Sequence, residues 1–232
     1  MGLAHTTRKI LSPDGWLSTW AAIKRLRYPL SSRPFIDNID HAGFERIKAR
    51  YHNPKDTVTS RKYLDVEHWM PVNVKRIRDI MLRPAPPKKR VLDIGCGTGF
   101  FLHIAKSLGH DVLGMDIPNH KLFDEMFALL KIPRCLHTIQ PYEKLPDLGT
   151  PFDIITAHMT CFNRYEDGKR WGPDEWKFFL DDIEARLTPG GMIYMDLNAE
   201  ADGSHMAPAL RQFFIARGAK VDRRKFIIKP KG

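Results

Sequence analysis

The sequence predicts an α/β fold in which helices cover both faces of a mostly parallel β-sheet. Two observations lead to this prediction. From residue 88 onward, short apolar segments of the kind that form buried strands alternate with longer segments of helical periodicity. The first apolar segment also leads through a glycine-rich turn into a helical pattern, since residues 91–105 read VLDIGCGTGFFLHIA. Parallel strands joined in this way place their carboxyl ends at one edge of the sheet, where ligands bind.

The first 87 residues lack this alternation and are predicted to form a basic, mainly helical extension. Apolar residues recur at the spacing of a helix in residues 18–28 and again in residues 65–82. Pro71 is expected to bend the second helix or to lie in the first turn of a new segment. We therefore divide the chain into an extension or lid at 1–87 and a body at 88–232.

The body continues with alternating elements after the glycine turn. The next apolar segment, residues 112–115, is a strand that ends at Asp116. Pro173 suits the first position of a later helix, and Gly218 suits the position after the last one. The remaining predicted elements are, in order, a helix at 121–130, strands at 134–139 and 152–157, a helix at 173–187, a turn at 187–191, a strand at 192–197 and a helix at 207–217.

Asp116 is placed where a nucleotide-binding fold needs an acidic residue. It follows Gly97 by 19 residues, and at the tip of the second strand its carboxylate can accept hydrogen bonds from a ribose. The glycine turn presents backbone N–H groups to the same ligand. A dinucleotide site would need a glycine where this chain has Phe100, so no pyrophosphate cradle is predicted. The alternative is a glycine-rich turn that binds a different nucleotide or none.

Residues 91–99 resemble the first motif of the class I S-adenosylmethionine-dependent methyltransferases, whose signature is close to (V/L)LD(I/V)GCGTG. FDII at 152–155 and LTPGG at 187–191 resemble later parts of the same family, so the resemblance covers residues 88–200. It implies a Rossmann-like, doubly wound sheet and S-adenosylmethionine as the cofactor.

The resemblance also implies roles for individual residues. The three glycines of the turn, Gly95, Gly97 and Gly99, line the methionine part of the cofactor. Asp93 supports the turn, and Asp116 holds the ribose. The other expected cofactor contacts are Cys96, Ile117, Tyr142, His158 and Met159.

Two departures from the family's pattern bear on the site and on the fold. Pro141 occupies the position where many members carry an acidic residue that meets the adenine amine. We therefore expect Tyr142, Gln140 or backbone groups to recognise the adenine. The sequence also ends soon after residues 219–228, so the family's closing antiparallel pair is expected to be shortened to one strand or a tight hairpin.

The segment after the fourth strand, which begins at His158, is expected to face the transferring methyl group. An oxygen nucleophile often needs a base, and His158 is the candidate because its unperturbed pKa lies near neutrality. A hydrogen bond to the cofactor or to the backbone is the alternative role. Met159 is expected to pack on the cofactor. Trp171 and Arg170 belong to a polar loop that is either a cap over the acceptor pocket, with these two residues as substrate contacts, or an ordinary solvated loop.

Charge is distributed unevenly over the chain, whose net charge is +10. Residues 1–90 contain 19 Lys and Arg against 8 Asp and Glu, whereas residues 91–232 contain 18 against 19. Basic ends around an acidic body indicate ordinary surface charge or attraction to an anionic partner, such as a phosphate-bearing substrate, a membrane surface or a nucleic acid. Trp16 and Trp20, on a basic helical pattern, suit either a membrane interface or packing on the body.

The sequence does not support a membrane-spanning or metal-binding protein. No apolar segment approaches the roughly 20 residues that cross a bilayer, and no signal-peptide pattern is present. The three cysteines, Cys96, Cys135 and Cys161, are widely spaced and form no C-x-x-C pair, so neither a zinc site nor a disulfide framework is expected. We expect a reduced cytoplasmic protein, with peripheral membrane contact as an alternative.

Three functional hypotheses follow from these features. The leading one is an enzyme that methylates an oxygen of a small-molecule or glycan acceptor, with the basic extension guiding an anionic acceptor. The second is an RNA methyltransferase whose basic ends bind the nucleic acid. The third is a non-catalytic partner protein that binds the cofactor within a larger complex. The first is preferred because no dedicated nucleic-acid module is appended and the predicted acceptor loops are modest.

Overall fold

The computed structural model describes residues 28–52, 63–199 and 203–230 of the chain. The helix expected at 18–28, with Trp16 and Trp20, falls outside these ranges except for its last residue. Within them, no helix is long and apolar enough to cross a membrane. The named elements are, in order, α1 (Arg33–Asp37), α2 (His41–Tyr51), α3 (Val66–Asp79), β1 (Arg90–Ile94), α4 (Phe100–Ser107), β2 (Asp111–Asp116), α5 (Lys121–Leu130), β3 (Arg134–Leu136), β4 (Phe152–Thr160), α6 (Pro173–Glu184), β5 (Leu187–Leu197), α7 (Pro208–Ala216), β6 (Lys220–Val221) and β7 (Lys225–Ile228).

The seven strands form one sheet in the order β3-β2-β1-β4-β5-β7-β6. The first five strands pair in parallel, and β7 lies antiparallel between β5 and β6. Chain order reverses between β1 and β4, because β2 and β3 continue on one side and β5 on the other. Such a switch point opens a crevice at the carboxyl ends of the strands. The predicted mostly parallel sheet is confirmed, and its closing part is a tight hairpin.

Helices cover both faces of the sheet, as predicted. Successive strand residues point to opposite faces. In β1, Val91 belongs to a buried cluster shared with α3, α4 and α5, whereas Leu92 belongs to a second cluster shared with α6 and α7. The two clusters form the two halves of the hydrophobic core.

The described part of the extension packs against the first of these clusters. The rings of Phe44 in α2 and Phe100 in α4 have centroids 6.4 Å apart. The Nε2 atom of His103 in α4 lies 2.9 Å from the carbonyl oxygen of Phe35 in α1. The extension and the body therefore share a core, and the proposed boundary after residue 87 stays a prediction.

Helix α3 is continuous through Pro71, so no second segment begins there. Proline inside a helix removes one hydrogen bond and costs about 3 kcal/mol. The side chains of Met70, Val74 and Ile77 on α3 are buried. Burial of an apolar side chain of this size contributes about 1.5–3 kcal/mol, so the packing of α3 on the sheet offsets the cost of Pro71.

Strand β4 is longer than predicted, and this changes the setting of the site. It covers Phe152–Thr160 rather than 152–157, so His158 and Met159 belong to the strand and not to the loop after it. The reason is that β4 still pairs with β5 beyond Ala157, where its pairing with β1 ends, since His158 pairs with Asp196 and Thr160 with Leu197. Its register with β5 shifts between His158 and Thr160, where the strand ends.

Three other boundaries also differ from the prediction. Residues 187–191, predicted as a turn, form the start of β5, because Leu187 pairs with Phe152 of β4. Strand β3 ends at Leu136 instead of residue 139, and α6 ends at Glu184. Sequence periodicity marks the middle of an element better than its ends, since terminal residues depend on pairing partners that are distant in sequence.

Candidate active site

A cavity of about 650 Å³ lies at the carboxyl ends of β1, β2 and β4. Its volume is typical of a pocket for a small molecule. Two of the predicted site residues, Gly99 and Tyr142, are not among its described lining residues. The predicted residues that line it are Asp93, Gly95, Cys96, Gly97, Asp116, Ile117, His158 and Met159.

The glycine turn forms one wall of the cavity and needs glycine for two different reasons. Gly95 has φ +67°, and a Cβ atom added there would lie 2.0 Å from Cγ2 of Thr160. Gly97 has φ +55°, and a Cβ atom added there would meet nothing within 4 Å. The first glycine therefore permits close packing within the protein. The second leaves the backbone open to a ligand in the cavity.

Asp116 holds this turn from the tip of β2. Its Oδ2 atom accepts a hydrogen bond of 2.7 Å from the backbone N–H of Gly97, and its Oδ1 atom accepts one of 2.8 Å from the N–H of Ile117. A carboxylate oxygen has two lone pairs, so each oxygen can accept a further hydrogen bond from a ligand hydroxyl. The arrangement therefore fits the ribose that the sequence motif implies.

Asp93 lies buried at the end of β1, beneath the cavity. Its Oδ1 atom accepts a hydrogen bond of 2.7 Å from the hydroxyl of Thr156 in β4. Burial raises the pKa of Asp93 to about 7, although the hydrogen bond from Thr156 and the charge of Arg76 oppose this shift. The carboxyl group is therefore easy to protonate in the folded chain.

We predict that replacing Asp93 with asparagine stabilises the protein more at pH 8 than at pH 5. The folded chain holds the Asp93 proton up to about pH 7, whereas the unfolded chain releases it near pH 4. Between these two pH values Asp93 is ionised in the unfolded chain but protonated in the folded chain. The free energy of unfolding of the wild type therefore falls as pH rises, by up to about 1.4 kcal/mol per pH unit. Urea unfolding of both proteins at several pH values measures the difference. A difference that is constant from pH 5 to pH 8 would contradict the pKa shift.

Cys96 is buried between the turn and β2. A Cβ atom added at Gly114 would lie 2.8 Å from its sulfur. Burial raises the pKa of the Cys96 thiol well above its ordinary value, with the charges of Asp116 and Asp93 acting in the same direction. The thiol is therefore neutral, and its place in the wall of the cavity suits packing.

Gly99 and Tyr142 have other surroundings. Gly99 precedes α4, and a Cβ atom there would lie 3.0 Å from Cε2 of Phe127. Tyr142 is 53% exposed and its ring packs beside Phe178 of α6, with centroids 5.9 Å apart. Gln140, the other side chain proposed for the adenine, does line the cavity. The geometry thus favours Gln140 over Tyr142 for that role.

His120, Phe123 and His137 line the cavity near Asp116 and are not predicted by the sequence, whereas Tyr63 beside them lies just ahead of the domain, where the sequence suggests either a lid on the cofactor or packing on the sheet. The ring of His120 stacks on Phe123 with centroids 3.6 Å apart, and Tyr63 contacts both rings edge-on. His137 also lines this end of the cavity. Histidine is common on protein surfaces, so only the place of His120 and His137 beside β2 and β3 distinguishes them.

His158 lines the cavity and is buried between two aromatic rings. Its ring centroid is 4.6 Å from that of Phe101 and 5.5 Å from that of Tyr194. Neither of its ring nitrogens has a hydrogen-bond partner among the described residues. Burial holds the pKa of His158 well below its ordinary value, and the positive charges of Arg76 and Lys225 lower it further. The imidazole is therefore neutral at pH 7.

The polar loop after β4 divides between the cavity and the core. Arg164 and Glu166 line the cavity, and the hydroxyl of Tyr165 donates a hydrogen bond of 2.5 Å to Glu175 at the start of α6. Trp171, considered above as a substrate contact, is instead buried in an aromatic cluster next to Trp176. That hypothesis for Trp171 is wrong, because a buried aromatic ring contributes more to the core than to a solvated cap.

A family model described as a methyltransferase domain matches residues 66–225 of the chain. A ubiquinone biosynthesis O-methyltransferase of Chelativorans sp. (strain BNC1) is 26% identical over 177 residues, which cover 72% of this chain and 64% of that protein. A second one, from Azorhizobium caulinodans, is 26% identical over 138 residues, which cover 55% of this chain and 53% of that protein. The chain thus spans between half and two thirds of these relatives.

Similarity to a different kind of enzyme is confined to a shorter region. A tRNA U34 carboxymethyltransferase of Pseudomonas fluorescens (strain SBW25) is 34% identical over 80 residues, which cover 33% of this chain and 25% of that protein. Among solved structures, DesVI of Streptomyces venezuelae aligns with a TM-score of 0.54 at 14% identity, covering 78% of this chain and all of that one. At this identity the structural likeness supports the fold alone.

Proposed function

Because the chain belongs to the family of S-adenosylmethionine-dependent methyltransferases, we propose that it transfers the cofactor's methyl group to an oxygen atom of a small-molecule or glycan acceptor. One observation carries this proposal. His158 is a neutral imidazole whose two ring nitrogens have no hydrogen-bond partner in the part of the chain that the structure describes, and it lines the same cavity as the glycine turn and Asp116. A buried polar group without a partner calls for one from a ligand.

The residues of the chain have separate tasks in this proposal. The backbone of Gly97 and the carboxylate of Asp116 hold and orient the cofactor. S-adenosylmethionine, when bound, supplies an activated methyl group, so the protein mainly aligns the acceptor and excludes water. The buried ring of Phe101 makes the wall beside His158 apolar.

His158 is proposed to accept the proton of the acceptor hydroxyl. A neutral imidazole has one ring nitrogen that donates and one that accepts a hydrogen bond. Because its pKa lies well below 6.5, the ring is in the accepting form throughout the physiological pH range. A positioned general base contributes about 10²–10⁴-fold to a rate, and the lowered pKa of His158 places its expected contribution at the lower end of this range.

We predict that His158→Ala slows methyl transfer at least about 100-fold while the Kd for S-adenosylmethionine changes less than about fivefold. The side chain is proposed to act on the acceptor, so its loss affects the rate and not the cofactor. Calorimetry gives the Kd, and incorporation of a labelled methyl group gives the rate. If both values stay at the wild-type level, His158 is not the base.

A second candidate function is methylation of RNA. It is favoured by the similarity to tRNA U34 carboxymethyltransferases and by the basic residues at both ends of the chain. Binding to RNA through many basic side chains would weaken steeply as salt concentration rises. Weak dependence on salt would favour the small acceptor.

The test of an oxygen acceptor is the chemistry of the product. A small-molecule extract is incubated with the protein and methyl-deuterated S-adenosylmethionine, and mass spectrometry identifies the species that gains the labelled methyl group. Fragmentation is expected to place the label on oxygen, and His158→Ala supplies the matched control reaction. A label on nitrogen or carbon would contradict the proposal while leaving methyl transfer itself intact.

A further inference from the structure

The end of β4 departs from regular strand geometry where it lines the cavity. Met159 has φ +58°, in the left-handed region that residues with a side chain rarely adopt. The register between β4 and β5 shifts between His158 and Thr160, so Met159 forms a bulge. Its side chain is 38% exposed and lines the cavity. A strained residue beside a binding cavity persists only where the surrounding structure holds it in place.

Asn198, which follows the last residue of β5, holds this bulge. Its Nδ2 atom donates a hydrogen bond of 2.7 Å to the carbonyl oxygen of Met159. The same atom lies 2.8 Å from Sγ of Cys161. An amide nitrogen carries two hydrogens, so it can serve both acceptors. Asn198 therefore ties the end of β5 to the residues on either side of Thr160.

The bulge separates two residues that have different contacts in the site. On one side is His158, the proposed base. On the other side Thr160 packs against the glycine turn, because a Cβ atom added at Gly95 would lie 2.0 Å from its Cγ2 atom. The backbone at Met159 therefore sets the distance between the proposed base and the turn that holds the cofactor. A displacement of about 1 Å in such an alignment can slow a reaction about 100-fold.

The imidazole of His158 depends on its backbone for its position. A catalytic histidine is ordinarily oriented by a hydrogen bond to the ring nitrogen that does not act on the substrate. Within the ranges that the structure describes, neither ring nitrogen of His158 has such a partner. The rings of Phe101 and Tyr194 pack beside it, with centroids 4.6 and 5.5 Å away. Ring packing and the backbone therefore place the imidazole, and Asn198 holds the backbone that follows it.

We infer that Asn198 is a positioning residue for methyl transfer, which acts on His158 through the bulge at Met159. The inference rests on the proposed function, because it takes His158 as the group that accepts the proton of the acceptor. The role requires an N–H donor at position 198, since the carbonyl oxygen of Met159 can only accept a hydrogen bond.

The first test replaces Asn198 with aspartate, which has nearly the same shape but, when ionised, only accepts hydrogen bonds. Methyl transfer is followed over a dilution series of a small-molecule extract, which gives a maximal rate and a half-saturating dilution. We expect the maximal rate to fall about 10- to 100-fold. The half-saturating dilution and the Kd for S-adenosylmethionine, measured by calorimetry, are expected to change less than about threefold.

Further variants separate the hydrogen bond from charge and bulk. Asn198→Leu removes the donor without adding a charge and is expected to lower the maximal rate by the same factor. Asn198→Gln keeps the donor and is expected to retain more of the rate than either. Asn38→Asp is the matched control, because Asn38 is exposed, is not among the described lining residues and lies 3.5 Å from the hydroxyl of Ser107. It is expected to keep the wild-type rate.

A double-mutant cycle tests the route through His158. If Asn198 acts by placing the imidazole, its effect disappears once the imidazole is removed. Protein with both His158→Ala and Asn198→Asp is therefore expected to transfer methyl groups within about threefold of the rate of His158→Ala alone. A residue that only stabilised the fold would slow both backgrounds alike. Melting temperatures show which variants are folded, and Asn198→Leu replaces Asn198→Asp in the cycle should the latter not fold.

The inference is overturned if Asn198→Asp and Asn198→Leu keep the wild-type maximal rate, or if the two losses multiply in the double variant. It is also overturned if the Kd for S-adenosylmethionine rises as much as the rate falls, since Asn198 would then act on the cofactor. Failure of the proposed function is recognised separately. In that case the wild type methylates no oxygen, or His158→Ala keeps the wild-type rate, and the inference falls with it.

Discussion

Replacing Asp116 with alanine is expected to weaken binding of S-adenosylmethionine by at least about 100-fold. The carboxylate holds Gly97 through a hydrogen bond of 2.7 Å and Ile117 through one of 2.8 Å, and it is proposed to accept the ribose hydroxyls. Hydrogen bonds to a charged group contribute about 1.5–3 kcal/mol each, so the loss of two that involve the ligand accounts for this factor. Calorimetric titration of the variant gives the Kd.

Asp111→Ala is the matched control for this experiment. Asp111 begins the same strand and is exposed, and among the described residues its side chain forms an ion pair only with Lys88 at the surface. Its removal is expected to change the free energy of unfolding by less than about 1 kcal/mol and to leave the Kd unchanged. An unchanged Kd in Asp116→Ala would refute the ribose role of Asp116.

Gly95→Ala is expected to destabilise the fold by about 3 kcal/mol or more. The new Cβ atom would lie 2.0 Å from Cγ2 and 2.8 Å from Cβ of Thr160, so the end of β4 would have to move. Overpacking of this kind costs about 1–3 kcal/mol. The positive φ of +67° adds about 1–2 kcal/mol for any residue with a side chain. Urea unfolding measures the sum.

Gly218→Ala separates these two contributions. Gly218 has φ +86°, but a Cβ atom there would meet nothing within 4 Å. Gly218→Ala is therefore expected to lower the free energy of unfolding only by the cost of a positive φ at a residue with a side chain, about 1–2 kcal/mol. Equal destabilisation in the two variants would show that Thr160 does not restrict position 95.

The parts of the site that are local in sequence could be predicted. The glycine turn, Asp93 and Asp116 belong to a strand, a turn and the next strand, and that unit has one geometry wherever it occurs. The alternation of apolar segments also predicted the parallel sheet and helices on both faces. These features depend on neighbouring residues and not on distant contacts.

The parts that depend on tertiary packing could not be predicted. Asn73 and Arg76 precede the first strand, and only the docking of α3 on the sheet brings them to the cavity. Tyr142 turns toward α6, and Trp171 enters the core, because aromatic partners on α6 are available there. The neutral state of His158 likewise follows from its burial and from cations on other elements.

The most direct test of the account is methyl transfer from radiolabelled S-adenosylmethionine into a fractionated cell extract, with and without ribonuclease. Wild-type protein and Asp116→Ala are compared at equal concentration. We expect label in a small-molecule, lipid or glycan fraction that ribonuclease does not remove, and none with Asp116→Ala. Label that ribonuclease removes, or no label in any fraction with the wild type, would contradict the proposed function.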